Sequence, residues 1–487
     1  MEAMRRLLCF CLVVLLVSTL HLQCHALVLP LTNTLSSLRH TNNDTAVHHL
    51  IRSSTLRSAA RHLRHRGHRQ LSLPLSPGSD YTLSLTVGPP SSPAPVSLFL
   101  DTGSDLVWFP CAPFTCMLCE GKPTPAHSGP LLPPRDSRRV HCASPLCSAA
   151  HAASPPADLC AAAGCALDDI ETGSCRKAAC PALYYAYGDG SLVARLRRGR
   201  VGLAASVAVR NFTFACAHAA LGEPVGVAGF GRGPLSFPAQ LGDPALAGRF
   251  SYCLVAHSFR ADRLAVTPSP LILGRATDDA DEQRRLDDFV YTPLLHNPRH
   301  PYLYSVALEA VSVGGTRVEA ARELGRVDRA GNGGMVVDSG TTFTMLPDDT
   351  YARVASEFAR AMAAARFARA QSAEAQTGLA PCYYYYSPSA AGRGVPPVAL
   401  HFRGNATVAL PRRNYFMGFK SEEEGRDVAC LMLMNAGDAS GDGGGGPAGT
   451  LGNFQQQGFE VVYDVDAGRV GFARRRCTEL WDTLSRR

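Results

Sequence analysis

Ser97-Leu98-Phe99-Leu100-Asp101-Thr102-Gly103-Ser104 and, far along the chain, Met335-Val336-Val337-Asp338-Ser339-Gly340-Thr341 are one pattern written twice. Each is an apolar, strand-like run that ends in Asp, a hydroxyl residue, Gly and a second hydroxyl residue. From average composition, one such tetrapeptide arises by chance in roughly 3% of chains this long, and two in well under about 0.1%. A single copy reads as a strand running into a turn, since Asp, Ser and Gly all favour turns. The pair asks for a shared purpose.

The residue types suggest one. A strand delivers the Asp, the Gly lets the chain turn sharply, and the hydroxyls can bond the carboxylate or clamp one loop to the other. Each loop is then half a site. Two carboxylates brought together cannot both ionise comfortably, so they share a proton; one serves as base towards a water and the other as acid towards a carbonyl. That chemistry hydrolyses amides without a covalent intermediate and is favoured in acid.

Outward from the first motif, Tyr81 to Gly88 and Val96 to Leu100 alternate as strands across a Pro/Ser turn. Further strands are expected over Arg200 to Val209, Phe212 to Cys216, Tyr302 to Val313, Gly334 to Val337, Val395 to Phe402 and Phe459 to Tyr463. One longer helix is expected over Thr350 to Ala370, where Tyr351, Val354, Phe358, Met362 and Phe367 fall near helical spacing. The tyrosine run Tyr383 to Tyr386 reads as half-buried strand packing. Gly437 to Gly449 lacks the Gly-Lys-Ser/Thr ending of a phosphate loop and reads as a surface loop.

At 487 residues, 46% of them apolar, the chain can bury a large core in more than one lobe. Arg5-Arg6, the apolar run Leu7 to Leu20 and Cys24-His25-Ala26 read as a signal peptide over 1–26, since the run is shorter than the roughly 20 residues a spanning helix needs. Residues 27–72 read as a basic prosegment, with seven Arg, six His and the single acid Asp44 between Arg39 and Arg69. The first lobe is expected over 73–280 and the second over 281–487, the boundary falling in the charged stretch Thr277 to Asp288. The whole excess charge of +7 lies in residues 1–72, so the body balances to zero and offers no basic face for nucleic acid. No second long apolar stretch follows, and no membrane association is expected of the mature form.

Cys9, Cys11 and Cys24 leave with the signal, so 14 of 17 cysteines remain, an even number suited to disulfides in an oxidising compartment. Cys116 and Cys119 form a CxxC, but no second zinc-spaced pair accompanies it, and no histidine shows metal-ligand spacing; no metal and no cofactor is expected. Asn43, Asn211 and Asn405 stand in Asn-x-Ser/Thr sequons and are glycan acceptors if exposed.

With Leu106-Val107-Trp108 after the first motif and Tyr187-Gly188-Asp189-Gly190-Ser191 between the two, the chain resembles the pepsin-like aspartic proteases, and within them the plant nepenthesin-like and other atypical secreted members. The resemblance covers about residues 73 to 477 and implies an all-β dominated, bilobal acid protease fold with a few short helices. It implies Asp101 and Asp338 as catalytic carboxylates, Ser104 and Thr341 orienting their outer oxygens, and Thr102 and Ser339 bracing the loops, with Gly103 and Gly340 at the turns. It places Tyr187 on a mobile hairpin over the cleft, with Trp108 as hydrogen-bond partner of its hydroxyl. Gly229 and Gly452 match the elements that pass behind each aspartate loop. The cysteines crowded from Cys111 to Cys180 resemble the nepenthesin-like Cys-rich insertion, and the resemblance pairs Cys382 with Cys430 and Cys253 with Cys477. It further implies protein or peptide substrates, a monomer, a zymogen and the secretory pathway, leading to cell wall or vacuole. A second reading, a catalytically silent secreted binding protein of the same fold, such as the plant inhibitors of xylan-degrading enzymes, is opposed by the intact Asp101, Asp338 and Tyr187.

Overall fold

The computed structural model describes residues 27–33, 81–120, 127–152, 179–187, 190–204, 207–242, 246, 248–256, 268–274, 288–385, 394–421, 425–437 and 446–485. The stretch read as a signal peptide, Asn43 and most of the stretch read as a prosegment lie outside the described residues, as do Cys160, Cys165, Cys175, Gly188, Asp189, Tyr386, the charged stretch 275–287 and the middle of the Gly-rich loop.

Strands dominate, as the alternating apolar runs require, and the fold is the two-lobed pepsin-like one. Among the described residues the largest sheet has 14 strands. From one edge it runs through Val290–Pro293, Arg469–Arg474, Phe459–Asp464, Arg249–Cys253, Ser269–Leu273, Leu27–Asn33, Tyr81–Val87 and Ala94–Asp101. It continues through Val227–Gly229, Val107–Met117, Val207–Leu221 and Gly190–Ala204. Phe459–Asp464, next to last among the described strands, therefore pairs with Arg249–Cys253 from before residue 280, Phe250 lying opposite Tyr463 and Tyr252 opposite Val461. The two lobes are sewn together by this middle stretch. Smaller sheets of five, four and three strands complete the second half.

Leu27–Asn33 falls in the stretch read from sequence as prosegment, yet it fills a slot in the sheet. It pairs antiparallel with Ser269–Leu273 on one side and Tyr81–Val87 on the other. Leu29 and Leu31 are fully buried there. Its removal would leave two strand edges unpaired inside the molecule, at the cost that attends buried orphan amides.

Several expectations change at their ends: Tyr302 to Val313 resolves into Ser305–Val306 and Leu308–Val313, Val395 to Phe402 begins at Val398, and two change further. Arg200 to Val209 is not one strand but the end of Gly190–Ala204 and the start of Val207–Leu221, which pair as a hairpin. Gly199 and Gly202 hide that turn from a pattern of alternation by lying inside the strand. The helix runs over Asp348–Ala364 only. Arg366 adopts a left-handed φ of 59°, so Phe367 leaves the helical face and packs beside Tyr385, ring centroids 6.2 Å apart. Val354, Phe358 and Met362 bury the helix against the core. Among the described residues no helix is long and apolar enough to cross a membrane.

Candidate active site

Each aspartate loop is built the same way. Ala94–Asp101 runs parallel to Val227–Gly229, with Asp101 opposite Gly229; Met335–Val337 runs parallel to Gly449–Leu451. Behind the first loop Phe230 N donates to Asp101 O at 2.7 Å and Gly231 N to Ser104 O at 2.8 Å. Behind the second, Asp338 N donates to Leu451 O at 3.0 Å and Asn453 N to Thr341 O at 2.7 Å.

The carboxylates are held alike. Asp101 accepts from Gly103 N at 2.9 Å on Oδ1 and from Ser104 Oγ at 2.7 Å on Oδ2. Asp338 accepts from Gly340 N at 2.8 Å on Oδ1 and from Thr341 Oγ1 at 2.6 Å on Oδ2. Both side chains are buried, Asp101 with 1% and Asp338 with 4% of their surface exposed. These donors take up the oxygen lone pairs on one side and fix each carboxyl plane.

The loops also grip each other. Thr102 N donates to Ser339 Oγ at 3.1 Å and Ser339 N to Thr102 Oγ1 at 2.9 Å. Thr102 Oγ1 then donates to Val337 O at 3.1 Å and Ser339 Oγ to Leu100 O at 3.0 Å. Every one of these groups is buried, so the brace has no competition from water. It brings the two motifs into contact: a Cβ added at Gly103 would lie 2.8 Å from Asp338 Cγ and from both its carboxylate oxygens. Only glycine lets the first loop stand so close to the second carboxylate.

Tyr187 ends the strand Leu183–Tyr187, which pairs back on Gly190–Ala204 with Tyr187 opposite Gly190. It is buried against Trp108, ring centroids 6.3 Å apart and tilted by 37°, and against Tyr185 at 5.0 Å. The hydrogen bond expected from the Trp108 indole to this tyrosine is not made; among the described residues Trp108 Nε1 has no hydrogen-bond partner. The hairpin packs on Trp108 through its rings instead, within an apolar cluster that includes Leu106, Leu192 and Leu235.

Cys253 bonds Cys477 and Cys382 bonds Cys430. In the Cys-rich segment Cys111 bonds Cys216, Cys116 bonds Cys119, and Cys147 bonds Cys180. His151 beside Cys147 and Cys180 is thus next to a disulfide, not to a pair of thiolate ligands. Asn211 and Asn405 are exposed at left-handed φ values of 60° and 59°.

Four site residues were not legible from the motifs. Asp105, largely buried, accepts from Gly233 N at 2.8 Å, and burial pushes its carboxyl up to about 6 against a weaker opposing pull from that bond. Tyr252, Gln456 and Tyr463 lie behind the loops. Their partners are far away in sequence, and only Asp105, one residue past the first motif, carries a local hint.

A two-lobed pepsin-like body with paired Asp-Ser/Thr-Gly loops is the class that fold and site define. Residues 81–274 match the family described as xylanase inhibitor N-terminal and residues 303–474 the one described as xylanase inhibitor C-terminal. The chain is 52% identical over 437 residues to a probable aspartyl protease of Arabidopsis thaliana, with 85% of each chain covered. It is 29% identical over 405 residues to the aspartic proteinase nepenthesin-2 of Nepenthes gracilis, covering 82% of this chain and 78% of that one. Among solved structures, edgp superposes with a TM-score of 0.62 at 16% identity, covering 94% of this chain and 97% of that one. Conglutin gamma from lupine seeds superposes with a TM-score of 0.57 at 19% identity over 82% and 95%. The chain belongs to the plant pepsin-like aspartic protease family, with nepenthesins among its relatives.

Proposed function

We propose that the protein is an aspartic endopeptidase that hydrolyses peptide bonds in acid through a water activated by Asp101 and Asp338. The observation that carries this is the matched pair of carboxylates, each fixed by a backbone N–H and a hydroxyl and locked to the other through Thr102 and Ser339.

With one proton between them, the ionised carboxylate takes a proton from water as the oxygen attacks the scissile carbonyl, and the protonated one gives its proton to the carbonyl oxygen. Collapse of the tetrahedral species sends a proton to the leaving nitrogen and restores the shared state. Ser104 and Thr341 keep the carboxylate planes fixed through both steps. An extended peptide lying across the site, covered by the Tyr187 hairpin, is the substrate class. The secretory route, removal of the basic stretch Arg39 to Arg69 with Leu27–Asn33 kept in its sheet, and glycans at Asn211 and Asn405 belong to the same proposal, as does a monomeric state.

The test is cleavage of a denatured general protein substrate by acid-treated, folded protein, beside an Asp101→Ala variant and a statine-type transition-state mimic. Cleavage abolished in both controls is expected. No cleavage from acid to neutral pH by folded, processed protein would favour the silent binding protein that the xylanase-inhibitor family descriptions bring to mind.

A further inference from the structure

The two aspartate loops are joined a second time, from behind. Tyr252 and Tyr463 stand fully buried on neighbouring antiparallel strands of the sheet that links the lobes. Tyr463 OH lies 3.3 Å from Thr102 Oγ1 and 3.4 Å from Val337 O, the carbonyl just before Asp338. It lies 2.7 Å from the Tyr252 hydroxyl. Tyr252 OH donates to Gln456 Oε1. Gln456 Nε2 in turn donates to Asp338 O at 3.2 Å and Leu451 O at 2.8 Å.

The direction of the chain is set by its far end. Both amide hydrogens of Gln456 are spent on backbone carbonyls, so its oxygen accepts from Tyr252, and the Tyr252 oxygen accepts from Tyr463; the Tyr463 hydrogen being spent there, its oxygen accepts from Thr102 Oγ1, whose hydrogen is shared between Tyr463 and Val337 O. Burial holds both phenols well above their ordinary range, Tyr463 further raised by Tyr252. They stay neutral and hydrogen-bonded from acid to neutral pH.

We propose that Tyr463, Tyr252 and Gln456 are positioning residues of the dyad, a hydrogen-bonded chain that ties the loop of Asp101 to the backbone of Asp338 through Thr102, the residue it shares with the direct brace. This rests on the protease reading above. A reacting geometry must be held to within about 0.5 Å, and the brace alone grips each loop at a single residue. The chain adds a second anchor on a different element, and its register depends on the pairing of strands separated by 211 residues at the two tyrosines.

Tyr304 supplies the control. It is equally buried, its ring lies 4.4 Å from that of Tyr463, and its hydroxyl has no hydrogen-bond partner among the described residues. A merely structural loss in this aromatic cluster would follow from Tyr304→Phe as much as from Tyr463→Phe.

The experiment is a kinetic double-mutant cycle in acid on parent, Thr102→Val, Tyr463→Phe and the double variant, with Tyr304→Phe alongside. Thr102→Val is expected to lower kcat about 30-fold and Tyr463→Phe about tenfold, KM moving less than about twofold in each. The double variant should be within about twofold of Thr102→Val alone, because both remove one coupled unit. Tyr304→Phe should keep kcat within about twofold. Losses that multiply to about 300-fold in the double variant, or a kcat drop in Tyr304→Phe equal to that of Tyr463→Phe, would overturn the inference. If Tyr463→Phe does not fold, Tyr252→Phe with Thr102→Val makes the same cycle under the same criteria. A parent that is folded but cleaves nothing shows instead that the protease reading has failed, before any variant is compared.

Discussion

In the first half of the chain the aspartate loop leans on a segment clipped by a carboxylate, Asp105, which holds Gly233 N. In the second half the matching loop leans on the short helix Asn453–Gln456, whose amides do the clipping. Asn453 Nδ2 donates to Ser339 O at 2.9 Å, and Gln455 Oε1 accepts from Thr344 N at 2.8 Å. The bonds that hold the two carboxylates are the same in both halves; the supports are a titratable acid on one side and neutral amides on the other. The front of the site is thus symmetric in its chemistry and the back asymmetric in its response to pH.

The symmetry of the front has the largest consequence. Asp101→Asn and Asp338→Asn should each lower kcat by about 10³-fold or more, since one carboxyl cannot be base and acid at once. Initial rates on a peptide substrate, with folding checked by circular dichroism, decide it. A variant at either position that keeps a tenth of parent activity would break the equivalence of the two loops.

The brace comes next. Thr102→Val strands the Ser339 amide and leaves the Val337 carbonyl with only the Tyr463 hydroxyl at 3.4 Å, and Ser339→Ala strands the Thr102 amide and the Leu100 carbonyl. With two buried groups losing their short hydrogen bonds in each, both substitutions should cost about 3 to 4 kcal/mol in urea unfolding, and by similar amounts. Markedly unequal costs would mean that one lobe carries the grip.

Asp105 sharpens the contrast behind the loops. Its carboxyl is raised by burial from 3.8 to about 6 in the folded protein, so the folded state binds more protons than the unfolded one between those values. The stabilisation is therefore present below about pH 4 and is lost as pH rises through about 6, amounting to about 3 kcal/mol. Asp105→Asn should remove that slope from the difference between urea unfolding at pH 4 and pH 7, whereas Gln456→Glu adds an acid on the other side. Space enforces the arrangement: a Cβ at Gly233 would fall 1.5 Å from Asp105 Oδ2. An Asp105→Asn protein with the parent's pH dependence would show that the first loop's support does not titrate as its burial requires.

The site's front was legible because each half is local. Four consecutive residues carry the carboxylate, the turn and both hydroxyls, and the repeat gives away their partnership. What stands behind was hidden for the opposite reason: Tyr463 meets Thr102 across 361 residues and Tyr252 meets Gln456 across 204. Alternation told that Phe459 to Tyr463 is a strand, not which strand it joins. The same limit explains Leu27–Asn33, whose apolar residues make a strand only because Ser269–Leu273 and Tyr81–Val87 leave a slot between them. Trp108 shows a subtler failure: the right neighbour was expected for Tyr187, but ring packing took the place of the hydrogen bond.

The smallest effect compares one residue in each half, far from the loops. Asn211 and Asn405 both sit exposed at left-handed φ, 60° and 59°, a conformation that Asn tolerates and Gly accepts freely, whereas a Cβ-bearing residue without a local side-chain bond pays about 1 kcal/mol. Asn211→Ala and Asn405→Ala should therefore each lose about 1 kcal/mol in urea unfolding of unglycosylated protein, and Asn→Gly at either place should recover most of it. Activity should stay within about twofold of the parent in all four. Recovery by Gly at one position and not the other would locate a side-chain contribution at the odd one, with the Arg138 to Asn211 contact at 3.4 Å as the difference to remove next.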